Sequence, residues 1–208
     1  MTDKKHYAYS QMEAILMPIR PKWFMLIADR KKKIEFRKSE ALYRAIKRLI
    51  SKYGYALIYF YLSKESPWIF IDNNNPYSTS PYFMSCKSLR NDNGKVVARF
   101  KCYDVEEIFV NEDEYLNTDT LSQKELLEQS YLTEDEAFEY FGEERMMNEL
   151  VFGCAIHISK LEIFDRPKEL DEFYKVGYSK EDFESLFADI DYKLTKAPQN
   201  YCYVEVDE

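Results

Sequence analysis

Glycine is scarce in this chain, with 5 in 208 residues. That argues against a nucleotide-binding α/β protein built on Gly-rich phosphate loops, and against a collagen-like fibre. Histidine is scarcer still, with His6 and His157 alone. The four cysteines, Cys86, Cys102, Cys154 and Cys202, stand far apart, and no Cys-x-x-Cys exists. A structural zinc site and a disulfide framework are both poor fits, so the cysteines read as reduced, buried, small hydrophobes and no cofactor is expected. No apolar run approaches the roughly 20 residues that span a bilayer. The opening residues Met1-Thr2-Asp3-Lys4-Lys5-His6 do not lead into a signal peptide's apolar stretch. A cytoplasmic protein with no membrane association is expected.

What is present is a core-forming composition. Hydrophobic residues make up 46% and charged residues 32%, which disfavours extensive disorder. The length suits one domain, read as residues 1–208 with no interdomain linker. Aromatics reach 16%, through 18 Tyr and 14 Phe, and suit strands and base-stacking surfaces alike. The net charge of −8 conceals an asymmetry. Residues 20–52 hold 12 Lys/Arg against 3 Asp/Glu, whereas residues 104–149 hold 16 Asp/Glu against 2 Lys/Arg. A basic first half can attract phosphate while an acidic segment keeps the chain soluble.

Periodicity supplies a coarse element map. Residues 14–19 read as a short buried strand, and Pro21 opens a short helix ending near Asp29-Arg30. Residues 33–38 alternate as a strand, with Ile34 and Phe36 facing one way and Glu35 and Arg37 the other. Ser39 caps a helix over 40–52, with Leu42, Ala45, Ile46 and Leu49 on its apolar face and Gly54 as its stop. Strands follow at 55–62 and 68–71, then a long polar loop over 72–93. The Asn93-Gly94 turn launches a strand over 95–103 that is expected to continue to Phe109. Ser122 with Glu125, and Thr133 with Glu136, are capping boxes that predict helices at 122–129 and 134–141. A strand over 151–164, a connection from Pro167, a helix from Ser179 to about Ala188 and a strand at 201–205 complete the pattern. About six strands with short helices predict an α+β domain, a small mixed β-barrel with peripheral helices.

Arg30-Lys31-Lys32-Lys33-Ile34-Glu35-Phe36-Arg37 resembles the Gly-x-Lys-x-x-Glu-x-Arg signature of the ASCH family, in the PUA-like superfamily. Lys32, Glu35 and Arg37 match its charged positions. Arg30 replaces its glycine, so a different backbone conformation is expected there. Residues 19–24 resemble the family's strand-to-helix passage, 94–100 its central strand, and 156–170 and 197–204 closing segments of bacterial and phage members. The resemblance spans about 14–205, with 40–52, 72–93 and 111–149 as elaborations. It implies a PUA-like barrel and RNA binding. Some small members hydrolyse N4-acetylcytidine, but they carry threonine where Glu35 stands.

The residues themselves support recognition over catalysis. A carboxylate between two cations stays ionised and makes a poor general base. It can accept from the exocyclic amine of a base, while Arg binds phosphate or a base edge. The candidate ligand-binding set is Lys32, Glu35 and Arg37 with Arg20, Lys22, Gln199, Asn200 and Tyr201, and RNA or a modified nucleotide is the expected partner. Tyr59, Tyr61 and Trp68 are candidates for base stacking, with core packing the favoured role. His157, between Ile156 and Ile158, reads as a hydrogen-bonded structural group. Two alternatives stay open. One is an amidohydrolase acting on N4-acylated cytidine. The other is an adaptor or inhibitor that engages a basic protein through the acidic 104–149 segment.

Overall fold

The structure, a computed structural model, describes residues 12–64, 68–71, 82–85, 92–110, 116–142, 152–176 and 193–206. It is a mixed α+β architecture. The chain opens β1 (Met12–Ile19), α1 (Pro21–Ala28), β2 (Ile34–Arg37), α2 (Glu40–Tyr53) and β3 (Ala56–Leu62). Next come β4 (Trp68–Ile71), β5 (Tyr82–Ser85), β6 (Val96–Cys102), β7 (Val105–Val110) and β8 (Leu116–Asn117). Then follow α3 (Gln123–Ser130), α4 (Glu134–Gly142), β9 (Phe152–His157), β10 (Ser159–Lys168), β11 (Tyr174–Lys175) and β12 (Cys202–Val206). No helix among the described residues is long and apolar enough to cross a membrane.

The strands divide into a six-stranded sheet, β10-β6-β3-β1-β12-β11, a four-stranded sheet, β2-β9-β7-β8, and the β4-β5 hairpin. Among the described residues no ladder joins the two ends of either larger sheet. The expected set of about six strands thus becomes twelve among the described residues, distributed over separate sheets. β1 and β3 run parallel, with Ile15 opposite Ile58 and Ile19 opposite Leu62. All seven residues of β3 are buried, because both faces of the large sheet are covered. On one face Ile15, Met17, Ile58 and Phe60 pack with α1 and α2; on the other, Leu16, Tyr59 and Tyr61 pack with Phe173. Tyr59 and Tyr61 therefore serve the core and not a stacking surface. The side chain of Trp68 lies outside the described residues.

α2 forms for the reasons its sequence gives. The Ser39 hydroxyl accepts from the Leu42 N–H at 3.2 Å, and Gly54 closes the helix at φ 79°, its N–H donating to Ile50 O. Leu42, Ala45, Ile46 and Leu49 are buried in the main core, so this helix is integral to it.

Two long strands expected from the sequence are each broken. The 95–109 run ends in the large sheet at Cys102 and resumes in the small sheet at Val105. The 151–164 run breaks at Ile158, next to Lys160 at φ 49°, so that β9 lies in the small sheet and β10 in the large one. Local alternation cannot register such a change of partner, since it is equal on both sides of the bend. Nor does Pro167 open a connection. β10 runs through it to Lys168, which an edge strand permits because no neighbour needs its missing N–H. The 72–93 segment is not loop throughout, because β5 pairs with β4. The helix expected from Ser179, and Cys86, lie outside the described residues.

Candidate functional site

The signature segment begins at the end of α1. Arg30 sits at φ 60°, the left-handed conformation a glycine adopts without strain. The expected different backbone is therefore not found, and the arginine is held in the glycine's geometry. The helix end is closed by Lys31 and Lys32 N–H groups donating to Leu26 O at 2.9 and 3.0 Å. The chain then enters β2, an edge strand of the small sheet.

Alternation along β2 separates two interiors. Ile34 and Phe36 enter a second core with Ile108, Leu126, Ala137 and Phe141, beneath α3 and α4. Glu35 and Arg37 take the other face, opposite Ile156 and Cys154 of β9. That face is not a solvated surface: Glu35 is only 5% exposed and Lys32 only 3%. The Lys32 Nζ lies 3.4 Å from Glu35 Oε2, and Arg37 Nη2 lies 3.1 Å from Glu35 Oε1. Both carboxylate oxygens are thus held by cations. Lys32 also donates to Ser130 O at 2.8 Å, and the Lys33 N–H to Gln129 O at 2.7 Å, so the segment holds the C-terminal end of α3. Burial pulls the Lys32 ammonium below the ordinary lysine value, with Glu35 offsetting only part of that. Arg37 is anchored by a second bond from Nη2, to Pro18 O at 2.6 Å.

These residues form the floor of an open cleft of about 720 Å³. Arg20, Arg37 and Lys38 line it from the β1–α1 corner and β2, Trp23 from α1, and Glu136, Glu139 and Tyr140 from α4; Ser63 and Gln199 complete it. The α4 wall is locked onto the sheet. Gly153 lies so close to Phe141 that an added Cβ would stand 2.4 Å from its ring. The Tyr140 hydroxyl reaches Phe36 O at 3.5 Å, and Lys38 Nζ lies 5.0 Å from the centre of the Tyr140 ring. Lys22 and Lys32 flank Trp23, at 4.4 and 5.2 Å from its ring. Burial pushes the Glu136 carboxyl up, but the Thr133 N–H and the Lys22 ammonium 3.3 Å away outweigh it and hold the group below the ordinary carboxylate value.

Of the eight candidates from the sequence, Lys32, Glu35, Arg37, Arg20 and Gln199 line this cleft. Lys22 stands at its rim through Glu136. Asn200 and Tyr201 turn away and support α2 instead. Asn200 Nδ2 donates to the capping Ser39 hydroxyl at 2.7 Å, and the Tyr201 hydroxyl to Ala41 O at 3.2 Å. Ser63, Lys38, Glu139 and Tyr140 were not anticipated. Ser63 follows the strongest strand in the sequence, and its place beside the end of β1 follows from the parallel β1–β3 pairing. Tyr140 and Glu139 carry no local signal for facing Lys32.

A second polar cluster lies where β6 passes into β7. His157 Nε2 is 2.6 Å from Glu106 Oε1, and the Thr120 hydroxyl donates to Glu106 Oε2. Asp104, Glu106 and His157 place ligand atoms within 4.8 Å of one another, a set that suits a borderline divalent ion. Asp104 is exposed and already carries Lys47 at 3.7 Å, and nothing else at this corner points to an ion. Burial pushes the Cys102 and Cys154 thiols up to about 12, so neither is a reactive thiolate.

No family model and no curated protein matches the chain. Solved structures similar to it include the following two. The crystal structure of ASCH from Zymomonas mobilis is 14% identical, covers 91% of this chain and 86% of its own, and gives a TM-score of 0.46. The N-terminal domain of Staphylothermus marinus McrB is 11% identical, covers 76% and 77%, and gives 0.38. What the cleft can bind follows from its own residues.

Proposed function

We propose that the cleft is a nucleotide- or nucleic-acid-recognition site, in keeping with the PUA-like class the sequence resembles, and that the chain acts by binding. The observation that carries this is the lining itself. Two aromatic side chains, Trp23 and Tyr140, line the cleft with the cations Arg20, Arg37 and Lys38 and with the acceptors Glu139 and Gln199. A nucleotide presents the complement: a flat π-face, polar base edges and phosphate. Catalysis is less well supported. Lys32 is held by Glu35 and Ser130, and the Ser63 hydroxyl has no hydrogen-bonded base to activate it.

Binding of single-stranded RNA and of a nucleotide mixture at low salt tests the reading. Trp23→Ala should weaken binding by about 5- to 150-fold, since one stacked base contributes about 1–3 kcal/mol. RNA affinity should fall with salt, with a log–log slope near −0.7 per phosphate neutralised. N4-acetylcytidine should yield no cytidine; turnover that vanishes in Lys32→Ala would replace binding by hydrolysis. Absence of nucleotide and RNA binding, with a basic protein bound through residues 104–149, would favour the adaptor instead.

A further inference from the structure

Away from the cleft, the two bends at which strands change sheets meet at one corner. Tyr103 follows β6 at one bend, Lys160 stands near the start of β10 at the other, and Ser159 pairs with Lys101 across the β10–β6 ladder. Tyr55, just ahead of β3, completes the group, its ring centre 5.9 Å from that of Tyr103. Lys101 Nζ stands 3.8 Å from the centre of the Tyr55 ring, and Lys160 Nζ 5.6 Å from that of Tyr103. Tyr103 is 42% exposed and so presents aromatic surface to solvent. Lys160 sits at φ 49°, a left-handed conformation that strains any residue with a Cβ, and such strain gathers at functional sites. Glycine makes that bend without strain; what the lysine adds is its ammonium.

The charges here differ from those of α2. There Arg44 is paired with Glu40, Lys47 with Asp104, and Arg48 and Lys52 with Glu13. Among the described residues Lys101 and Lys160 make no ion pair, and their partners are the rings. The nearby acids are taken: Asp104 by Lys47, and Glu162 by Arg99. An ammonium over a ring face keeps N–H donors for an anion. Two cations without acids beside an exposed ring match a polymer that alternates flat bases with phosphates. A duplex hides its base faces, and an acidic peptide offers Tyr103 no π-face. We propose that this corner is a second contact for single-stranded RNA, with a base on Tyr103 and the adjoining phosphates on Lys101 and Lys160. It goes beyond the cleft reading, since Tyr55 and the cleft residue Ser63 flank opposite ends of β3, about 25 Å apart along the strand. Only a ligand longer than a mononucleotide reaches both.

Fluorescence anisotropy on the full chain tests this with a labelled single-stranded RNA 12-mer and its duplex, beside calorimetry with AMP, GMP, CMP and UMP. The 12-mer should bind tighter than its duplex and tighter than any monophosphate. Tyr103→Ala should weaken the 12-mer by about 5- to 150-fold and leave monophosphate binding unchanged. Lys101→Gln with Lys160→Gln should reduce the log–log salt slope by about 1.4, two phosphates at about 0.7 each. Lys160→Gly keeps the left-handed turn and removes the charge, so it should weaken the 12-mer without lowering the melting midpoint. Arg44→Gln should change nothing. An unaltered 12-mer affinity in Tyr103→Ala overturns the corner, as does displacement of the 12-mer by poly-glutamate as effectively as by unlabelled RNA. If monophosphates still bind and Trp23→Ala abolishes that binding, the cleft reading survives the loss of the corner. If the 12-mer depends on Tyr103 and Trp23→Ala weakens neither ligand, the corner stands and the cleft reading falls. If neither RNA nor monophosphate binds, both fall together.

Discussion

Lys32, Glu35 and Arg37 form one acid–base cluster, and Glu13, Arg48 and Lys52 form another. Each places a single carboxylate between two cations: Glu35 lies 3.4 Å from Lys32 and 3.1 Å from Arg37, and Glu13 pairs with Arg48 and, at 2.8 Å, with Lys52. Their settings differ. Side-chain exposure is 2% for Lys32, 7% for Glu35 and 17% for Arg37, against 16% for Glu13, 47% for Arg48 and 50% for Lys52. Desolvation makes the first cluster an obligatory unit, because each charge left alone there is costly. Water and salt screen the second, so it neutralises the basic face of α2 without fixing the fold. The sequence marks both segments as basic; the buried one borders the cleft of about 720 Å³, whereas Arg48 of the other borders a smaller pocket of about 360 Å³ with Arg44 and Tyr203.

The largest effect should come from breaking the buried cluster. Glu35→Ala leaves two cations facing one another and should cost about 3–5 kcal/mol in urea unfolding. Glu13→Ala should cost no more than about 1 kcal/mol, and less as salt rises. Equal costs at the two carboxylates would remove burial as the deciding factor.

Backbone geometry around the cleft gives effects of intermediate size. Gly153→Ala should cost about 1–3 kcal/mol by driving a methyl group into Phe141, read as a lower urea midpoint. Arg30→Gly should stabilise by about 1 kcal/mol, because relief of the left-handed strain exceeds the added chain entropy. A loss of stability in Arg30→Gly would mean that the side chain holds the turn.

Smaller still are the pH effects, and they differ in sign between the clusters. Burial lowers the Lys32 value, so between that value and the unfolded one, near 10.5, the unfolded chain binds more protons and this group's contribution to stability rises with pH. Glu13 raises the Lys52 value, so its contribution is present below the unfolded value and is lost as pH rises through the folded one. Alkaline unfolding of Lys32→Met and Lys52→Met should therefore deviate from the parent in opposite directions. Burial pushes the Glu106 carboxyl up, but hydrogen bonds from Thr120, His157 and Thr118 outweigh it and hold the value below 4.5. Its contribution is present above 4.5 and is lost as pH falls through the folded value, so Glu106→Gln should flatten the acid limb of the stability profile.

Much of the local structure was legible because it is written in local signals. Both capping boxes form, with the Ser122 hydroxyl accepting from the Glu125 N–H at 3.3 Å and the Thr133 hydroxyl from the Glu136 N–H at 3.1 Å. The α2 stripe and its Gly54 stop also formed as read. What was not legible depends on which sheet a strand joins. The bends at Tyr103-Asp104 and Ile158 move a strand between sheets without altering its alternation. The alternation of β2 correctly separated Glu35 and Arg37 from Ile34 and Phe36, yet gave no sign that both faces are interior. The same gap hid the cleft's far wall. The acidic helices read as a solvated face or a protein-binding surface, but Glu136, Glu139 and Tyr140 of α4 line the cleft.

The central claim, that recognition resides in the cleft and not on the basic face of α2, is tested most directly by 1H–15N spectra of the chain titrated with a nucleoside monophosphate. The side-chain signals of Arg37 Nε–H and the Trp23 indole N–H should shift together and saturate at one affinity, while the amides of Lys47, Arg48 and Lys52 stay in place. Shifts confined to α2, with Arg37 and Trp23 unmoved, would contradict the account.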